Sequence, residues 1–243
     1  MNPSSANLKY FHAGALFNLK ELAGNAMLAR AIVKESKGRY HALLPQDFEV
    51  DPKKPTAIRD ADLLALLSAD VALFHFDGAD LDSGTVVEFM VAKFADIPAV
   101  LLRTDFRRAG DSHEDAWNLM LTGYPRTQQV IVHAMELYHQ QRHPERQLED
   151  AAELATHETA RRVIAAFDEV VRTPAVMPPE LRDSISRWIA LFPGFTIPVK
   201  EVEEKLRLIQ ESRADRGLPE IAVDEAKEFA AVPPAIRQKA GMV

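Results

Sequence analysis

Four short, nearly unbroken apolar runs in the first 105 residues constrain this chain most. They are Leu8-Lys9-Tyr10-Phe11-His12-Ala13-Gly14, Tyr40 to Leu44, Val71 to Phe76 and Ile97 to Leu102. Each of the first three is followed by a segment whose apolar residues recur at helical spacing. After the first run, Asn18 and Glu21 form a capping-box pair ahead of Leu19, Leu22, Ala26, Met27, Ala29 and Val33, and Gly38 ends that helix. Pro55 to Ser68 is a second helix, with Ile58, Leu63, Leu64 and Leu67 apolar. A third, capped by Ser83 or Thr85, runs through Asp96. Strands apolar on both faces and separated by helices require a parallel sheet covered on both sides. The fold class is therefore α/β, a flavodoxin-like (Rossmann-like) sheet of four to five strands with a C-terminal helical extension.

The rest of the chain is predominantly helical. Asp105 to Asp115 is charged and predicts a mobile loop. Gln128 to Gln141 predicts a helix, with a strand at Val130 to Val132 as the competing reading. Gln147 to Arg172 is a strongly amphipathic helix, and Pro174, Pro178 and Pro179 break the chain after it. Glu180 to Val243 predicts two or three short helices joined by prolines. Three parts follow: an α/β catalytic domain over 1–125, helices packing on or pairing with it over 126–175, and a proline-interrupted extension over 176–243.

Composition narrows the function. The net charge is −7, which disfavours a nucleic-acid partner, since that affinity needs clustered Lys and Arg. There are no cysteines, so disulfides and thiolate chemistry are excluded and a reducing, cytoplasmic setting is expected. No signal peptide pattern opens the chain, and no apolar run approaches the ~20 residues that span a bilayer. The eight histidines are scattered, without an HExxH motif, so no metal and no cofactor is expected. The turn Gly14-Ala15-Leu16-Phe17-Asn18 is neither a dinucleotide nor a triphosphate loop. No G-x-S-x-G elbow is present. A small molecule is the expected partner.

Carboxylates supply the candidate chemistry. Leu81-Asp82-Ser83-Gly84-Thr85-Val86-Val87-Glu88 joins the third strand to its helix, so Asp82 falls at the strand's carboxyl end, where open α/β sheets bind ligands. Glu88, early in the helix, is a candidate nucleophile whose ionised form the helix dipole would favour; a solvated helix glutamate is the plainer alternative. Asp60 and Asp62 flank Ala61 and point in different directions, so at most one faces the site. Phe17 is available to stack on a planar ring. Tyr10 is either a core aromatic or presents its hydroxyl beside Glu88.

These segments together resemble the nucleoside 2-deoxyribosyltransferase family. Tyr10 to Phe17, including Gly14, is similar to that family's first strand and turn, with its tyrosine and base-stacking phenylalanine. Asp62 falls where the family carries an aspartate that contacts the nucleobase. Asp82-Ser83-Gly84-Thr85-Val86-Val87-Glu88 resembles the segment holding a sugar-binding aspartate and the nucleophilic glutamate. Trp117-Asn118-Leu119-Met120 resembles the segment that reaches into a neighbouring subunit's site, which implies a homo-oligomer with Asn118 shared across subunits. The resemblance implies that Glu88 attacks C1′, Tyr10 orients it, Asp62 protonates the departing base, and Asp82 and Asn118 grip the sugar, with Ser83, Gly84 and Met120 in the binding set. It covers about residues 8 to 122. The chain departs from the family in its length and in ending Gly241-Met242-Val243, without a terminal tyrosine. Its apolar first turn favours an uncharged nucleoside over a monophosphate. A hydrolase on the same scaffold and a non-catalytic nucleoside-binding module are the two alternatives.

Overall fold

The computed structural model describes residues 7–48, 54–107, 110 and 116–215. Five strands, β1 (Leu8–Gly14), β2 (Tyr40–Leu43), β3 (Val71–His75), β4 (Ala99–Arg103) and β5 (Thr127–Ile131), form one parallel sheet in the order β2-β1-β3-β4-β5. The helices are α1 (Leu19–Glu35), α2 (Pro55–Ser68), α3 (Ser83–Phe94), α4 (Ala134–Gln141), α5 (Leu148–Val170), α6 (Arg182–Leu191) and α7 (Val199–Asp215). This is the flavodoxin-like α/β architecture expected, with its C-terminal helices.

Strand alternation divides the core in two. On one face Leu8, Tyr10, Val71, Leu73, Val100 and Leu102 pack with Leu28 and Ile32 of α1 and Val163 and Phe167 of α5. On the other, Phe11, Ala13, Ala72, Phe74, Ala99 and Leu101 pack with Leu63 and Leu66 of α2, Phe89 of α3, Ile189 of α6 and Val202 of α7. The α5 helix is tied to β2 through Asp168, which accepts from the Arg39 guanidinium and, at 2.7 Å, from the Tyr40 hydroxyl. Asp96 then receives the chain as it crosses to the opposite face, accepting the amides of Val176 and Met177 at 2.7 and 3.0 Å.

Local signals explain most boundaries. The Asn18–Glu21 capping box is formed at α1. Pro55 opens α2 at a position where its missing N–H costs nothing. Two expectations are corrected. Thr127–Ile131 is a strand, and helix begins only at Ala134: the β-branched run Val130-Ile131-Val132 pairs with the exposed edge of β4 instead of extending α4. The α3 cap is Asp82, whose Oδ2 accepts the Thr85 amide at 2.7 Å, and the helix ends at Phe94 rather than Asp96. The loop expected at 105–115 lies mostly outside the described residues, as does the chain after 215.

Candidate active site

Parallel strands bring their carboxyl ends to one edge, and three acidic side chains gather there on the α2–α3 face. Asp82 is held by its cap, both Oδ2 bonds going to Thr85, from the amide and from the hydroxyl at 2.7 Å each. Gly84 keeps that geometry open, since a Cβ there would stand 3.2 Å from Asp82 Oδ2. Glu88 follows one and a half turns into α3, half-buried. Burial pushes its carboxyl up to about 8, with the nearby charges of Asp62 and Asp82 adding to the rise. Burial raises Asp62 on α2 to about 6. The sequence had suggested that the helix dipole holds Glu88 ionised. Glu88 lies beyond the first turn, where that field fades, and desolvation with two like charges prevails.

Asp60 and Asp62 diverge as their spacing requires. Asp62 shares the site with Glu88, while Asp60 is buried on the far side of α2 and accepts from Arg59 and Thr196. Ser83 and Gly84 are exposed at the start of α3. Gly14 ends β1 against His75, where a Cβ would meet the His75 Cβ at 3.2 Å. Phe17 is 76% exposed at the head of α1, on the same sheet edge. Asn118 starts a short 3₁₀ turn, its Oδ1 accepting the Met120 amide at 2.9 Å. Buried Trp117 anchors that turn against Phe76, leaving Asn118, Leu119 and Met120 exposed.

Tyr10 is not brought to Glu88. Its side chain lies on the α1–α5 face, 5.1 Å from the Phe167 ring, and its buried hydroxyl has no hydrogen-bond partner among the described residues. The β1 side chains that face the α2–α3 layer are Phe11 and Ala13. One residue of register along a strand changes its face, and the sequence alone does not show which face carries the site. Tyr10→Phe is therefore expected to leave any activity within about twofold and stability unchanged or raised by up to ~1 kcal/mol, because it deletes an unpaired buried hydroxyl. Kinetics and urea unfolding of the variant check this; a hundredfold loss of activity would contradict it.

Sequence reasoning missed the groups around His75. His75 Nε2 lies 3.0 Å from Asp77 Oδ2. Asp77 also accepts the Thr104 amide at 2.6 Å and the Asp105 amide at 3.0 Å. Burial would raise the Asp77 carboxyl, but His75 and Thr104 together hold it well below the usual carboxylate range. Asp-Gly directly after a strand was the available signal. His75, Asp77 and Thr104 help line a cavity of about 440 Å³ on the α1–α5 face, with Lys20, Asn25, Leu137 and Thr159. That cavity has none of the three clustered carboxylates in its lining. Among the described residues no group of His, Cys, Asp or Glu could hold a metal ion, and no helix is long and apolar enough to cross a membrane.

Residues 10–120 match the nucleoside 2-deoxyribosyltransferase family model. Among solved structures, a conserved protein from Enterococcus faecalis V583 is 26% identical, covering 60% of this chain and 98% of its own, with a TM-score of 0.45. A 2-deoxyribosyltransferase from the psychrotolerant bacterium Bacillus psychrosaccharolyticus is 20% identical, covering 48% of this chain and 81% of its own, with a TM-score of 0.39. No curated protein matches by sequence. The segment that matches this family model contains Asp62, Asp82, Glu88 and Asn118.

Proposed function

We propose that the protein cleaves the N-glycosidic bond of 2′-deoxynucleosides and passes the sugar to another nucleobase, with Glu88 as nucleophile. The observation that carries this reading is the gathering of Glu88, Asp62 and Asp82: burial, with the charges of Asp62 and Asp82 adding to it, raises Glu88 to about 8, and burial raises Asp62 to about 6. Near neutral pH such a pair holds one proton between its members. Glycosyl transfer needs that state: one carboxylate to attack and one carboxylic acid to protonate the leaving group.

At rest the shared proton sits on Glu88, the higher of the two; in the reactive arrangement it has passed to Asp62 and Glu88 is ionised. Glu88 forms a bond to C1′ as the base leaves, and Asp62 gives its proton to the departing base. The sugar is then an ester of Glu88. An incoming base attacks C1′, its N–H proton returns to Asp62, and the glutamate is freed with overall retention. The crowding of negative charge also favours the transition state. Like charges that repel one another in the empty site are drawn to the positive charge developing on the sugar ring, an interaction stronger in the transition state than in the ground state. A deoxy sugar suits this chemistry, since no 2′-hydroxyl withdraws electrons from that centre. In this reading Asp82 holds a sugar hydroxyl, Phe17 stacks on the base, and Asn118 with Met120 completes the site of a second copy.

Incubation with thymidine and excess adenine tests the reading. Deoxyadenosine and thymine are expected, whereas free deoxyribose with thymine would replace transfer by hydrolysis on the same residues. No product from any common deoxynucleoside would overturn it. The pair's titration further predicts a bell-shaped pH dependence of kcat/KM, with limbs near about 6 and about 8. A flat profile across that range would count against a shared proton.

A further inference from the structure

The C-terminal helices lie outside the family segment, yet they meet the site from behind. The loop between α6 and α7 is clasped to α2 at Asp60. That carboxylate, 4% exposed, accepts the Thr196 amide at 2.6 Å and the Thr196 hydroxyl at 2.7 Å. Arg59 donates to Asp60 Oδ1 from Nε at 3.0 Å and from Nη2 at 2.6 Å, and the same Nη2 reaches the Gly194 carbonyl at 3.0 Å. Gly194 has φ +62°, the left-handed conformation that turns the loop toward α2. Around the clasp, Ile189 and Ala190 of α6 and Val202 and Leu206 of α7 share one buried cluster with Leu63 and Leu66 of α2 and Phe89 of α3.

Two residues along α2 from this clasp stands Asp62. A separation of two residues rotates the side chain by about 200° around the helix axis. Asp60 is thus held by the appendage while Asp62 is turned toward Glu88. We propose that the α6–α7 segment is a working part of the active site, with Asp60 and Thr196 as positioning residues that hold α2 so that Asp62 stays beside Glu88. The inference rests on the glycosyl-transfer reading for its functional consequence, and on the clasp alone for its structural one.

Without the clasp, α2 is free to shift outward and water gains access to Asp62. Among the described residues the charge coupled to Asp62 is that of Glu88 on α3, so hydration and separation act in one direction: the Asp62 carboxyl falls toward its ordinary range. Asp60 does the opposite of Asp62. Burial pushes it up, but the amide and hydroxyl of Thr196 and the Arg59 guanidinium outweigh that and hold it low. It stays ionised and keeps the clasp closed through the range in which the pair beside it titrates.

Thr196→Val keeps the backbone donor and the side-chain shape while deleting the hydroxyl donor, and Thr196→Ser restores it. The experiment measures kcat, KM and the pH profile for thymidine, thermal unfolding, and the ¹³C-carboxyl NMR titration of Asp62 in the full chain. Thr196→Val is expected to fold, to lose about tenfold to a hundredfold in kcat with little change in KM, and to move the acid limb to lower pH. Thr196→Ser is expected to recover all three. A loss of stability with an unchanged acid limb and kcat would reduce the appendage to scaffold and overturn the inference. The NMR titration separates the two proposals. An Asp62 midpoint that does not move in Thr196→Val sinks the clasp even if the enzyme is active. A midpoint that falls, in a protein that turns over no deoxynucleoside, sinks the glycosyl-transfer reading and leaves the clasp standing.

Discussion

Glu88→Ala is expected to lose about 10³-fold or more of the thymidine-to-adenine exchange while remaining folded. The size follows from the role: a nucleophile that forms a covalent intermediate has no substitute in the site, and residues acting as a unit lose most of their effect when one is removed. Glu88 is half-buried at the end of the sheet edge, not in the packed interior, so truncation leaves the core around Phe89 intact. Asp62→Asn serves as the comparison. An amide cannot donate the proton that the leaving base needs, and general-acid catalysis contributes about 10²- to 10⁴-fold. That loss should shrink for deoxynucleosides with better leaving bases, whereas the Glu88→Ala loss should not. Steady-state kinetics across a series of leaving bases distinguishes the two roles. Equal losses for every base in both variants would mean that Asp62 is not the acid.

The second large effect is on stability, and its sign is opposite to that of an ordinary buried salt bridge. Glu88 has a folded-state value raised from 4.5 to about 8. Between those pH values the folded protein binds more protons than the unfolded chain, so stability falls as pH rises and is lowest above about 8. Its size is on the order of 2–4 kcal/mol, given burial and the coupling to Asp62. Glu88→Gln carries no such penalty. It is expected to melt roughly 5–10 °C above the parent protein at pH 9, and together with it at pH 4. Thermal unfolding of both proteins across that range measures this. A constant gap at all pH values would mean that Glu88 titrates as an ordinary exposed glutamate, and the clustered-carboxylate account would lose its electrostatic support. The expected pattern is the trade between stability and activity seen where like charges are gathered for chemistry.

Legibility in the sequence was uneven, for identifiable reasons. The sheet was visible because buried parallel strands are apolar throughout: Leu8–Gly14 and Pro55–Ser68 have the bounds that their patterns suggest. The Asn18–Glu21 box is a local motif whose geometry depends on few other residues. By contrast, Val130 and its neighbours suit a strand or a helix, and only the open edge of β4 decides between them. Asp62 and Glu88 were legible as a pair through a family pattern. Their raised titration was not, because it comes from side chains brought together by α2 and α3. Tyr10 shows the limit most clearly. Its neighbour Phe11 faces the α2–α3 layer, and a two-residue periodicity cannot say which parity points there. The burial of Asp60 was not legible, since its partner Thr196 is 136 residues away in the chain.

The central claim is that Glu88 carries the sugar, and the direct test is to catch it there. The protein is mixed with thymidine alone, denatured in acid during turnover, digested and examined by mass spectrometry. The account predicts a deoxyribosyl adduct on the peptide containing Glu88, present with thymidine, discharged by adding adenine before the quench, and absent in Glu88→Gln. An adduct on Asp62 or Asp82 instead, or rapid base exchange with no adduct on any carboxylate, would contradict it.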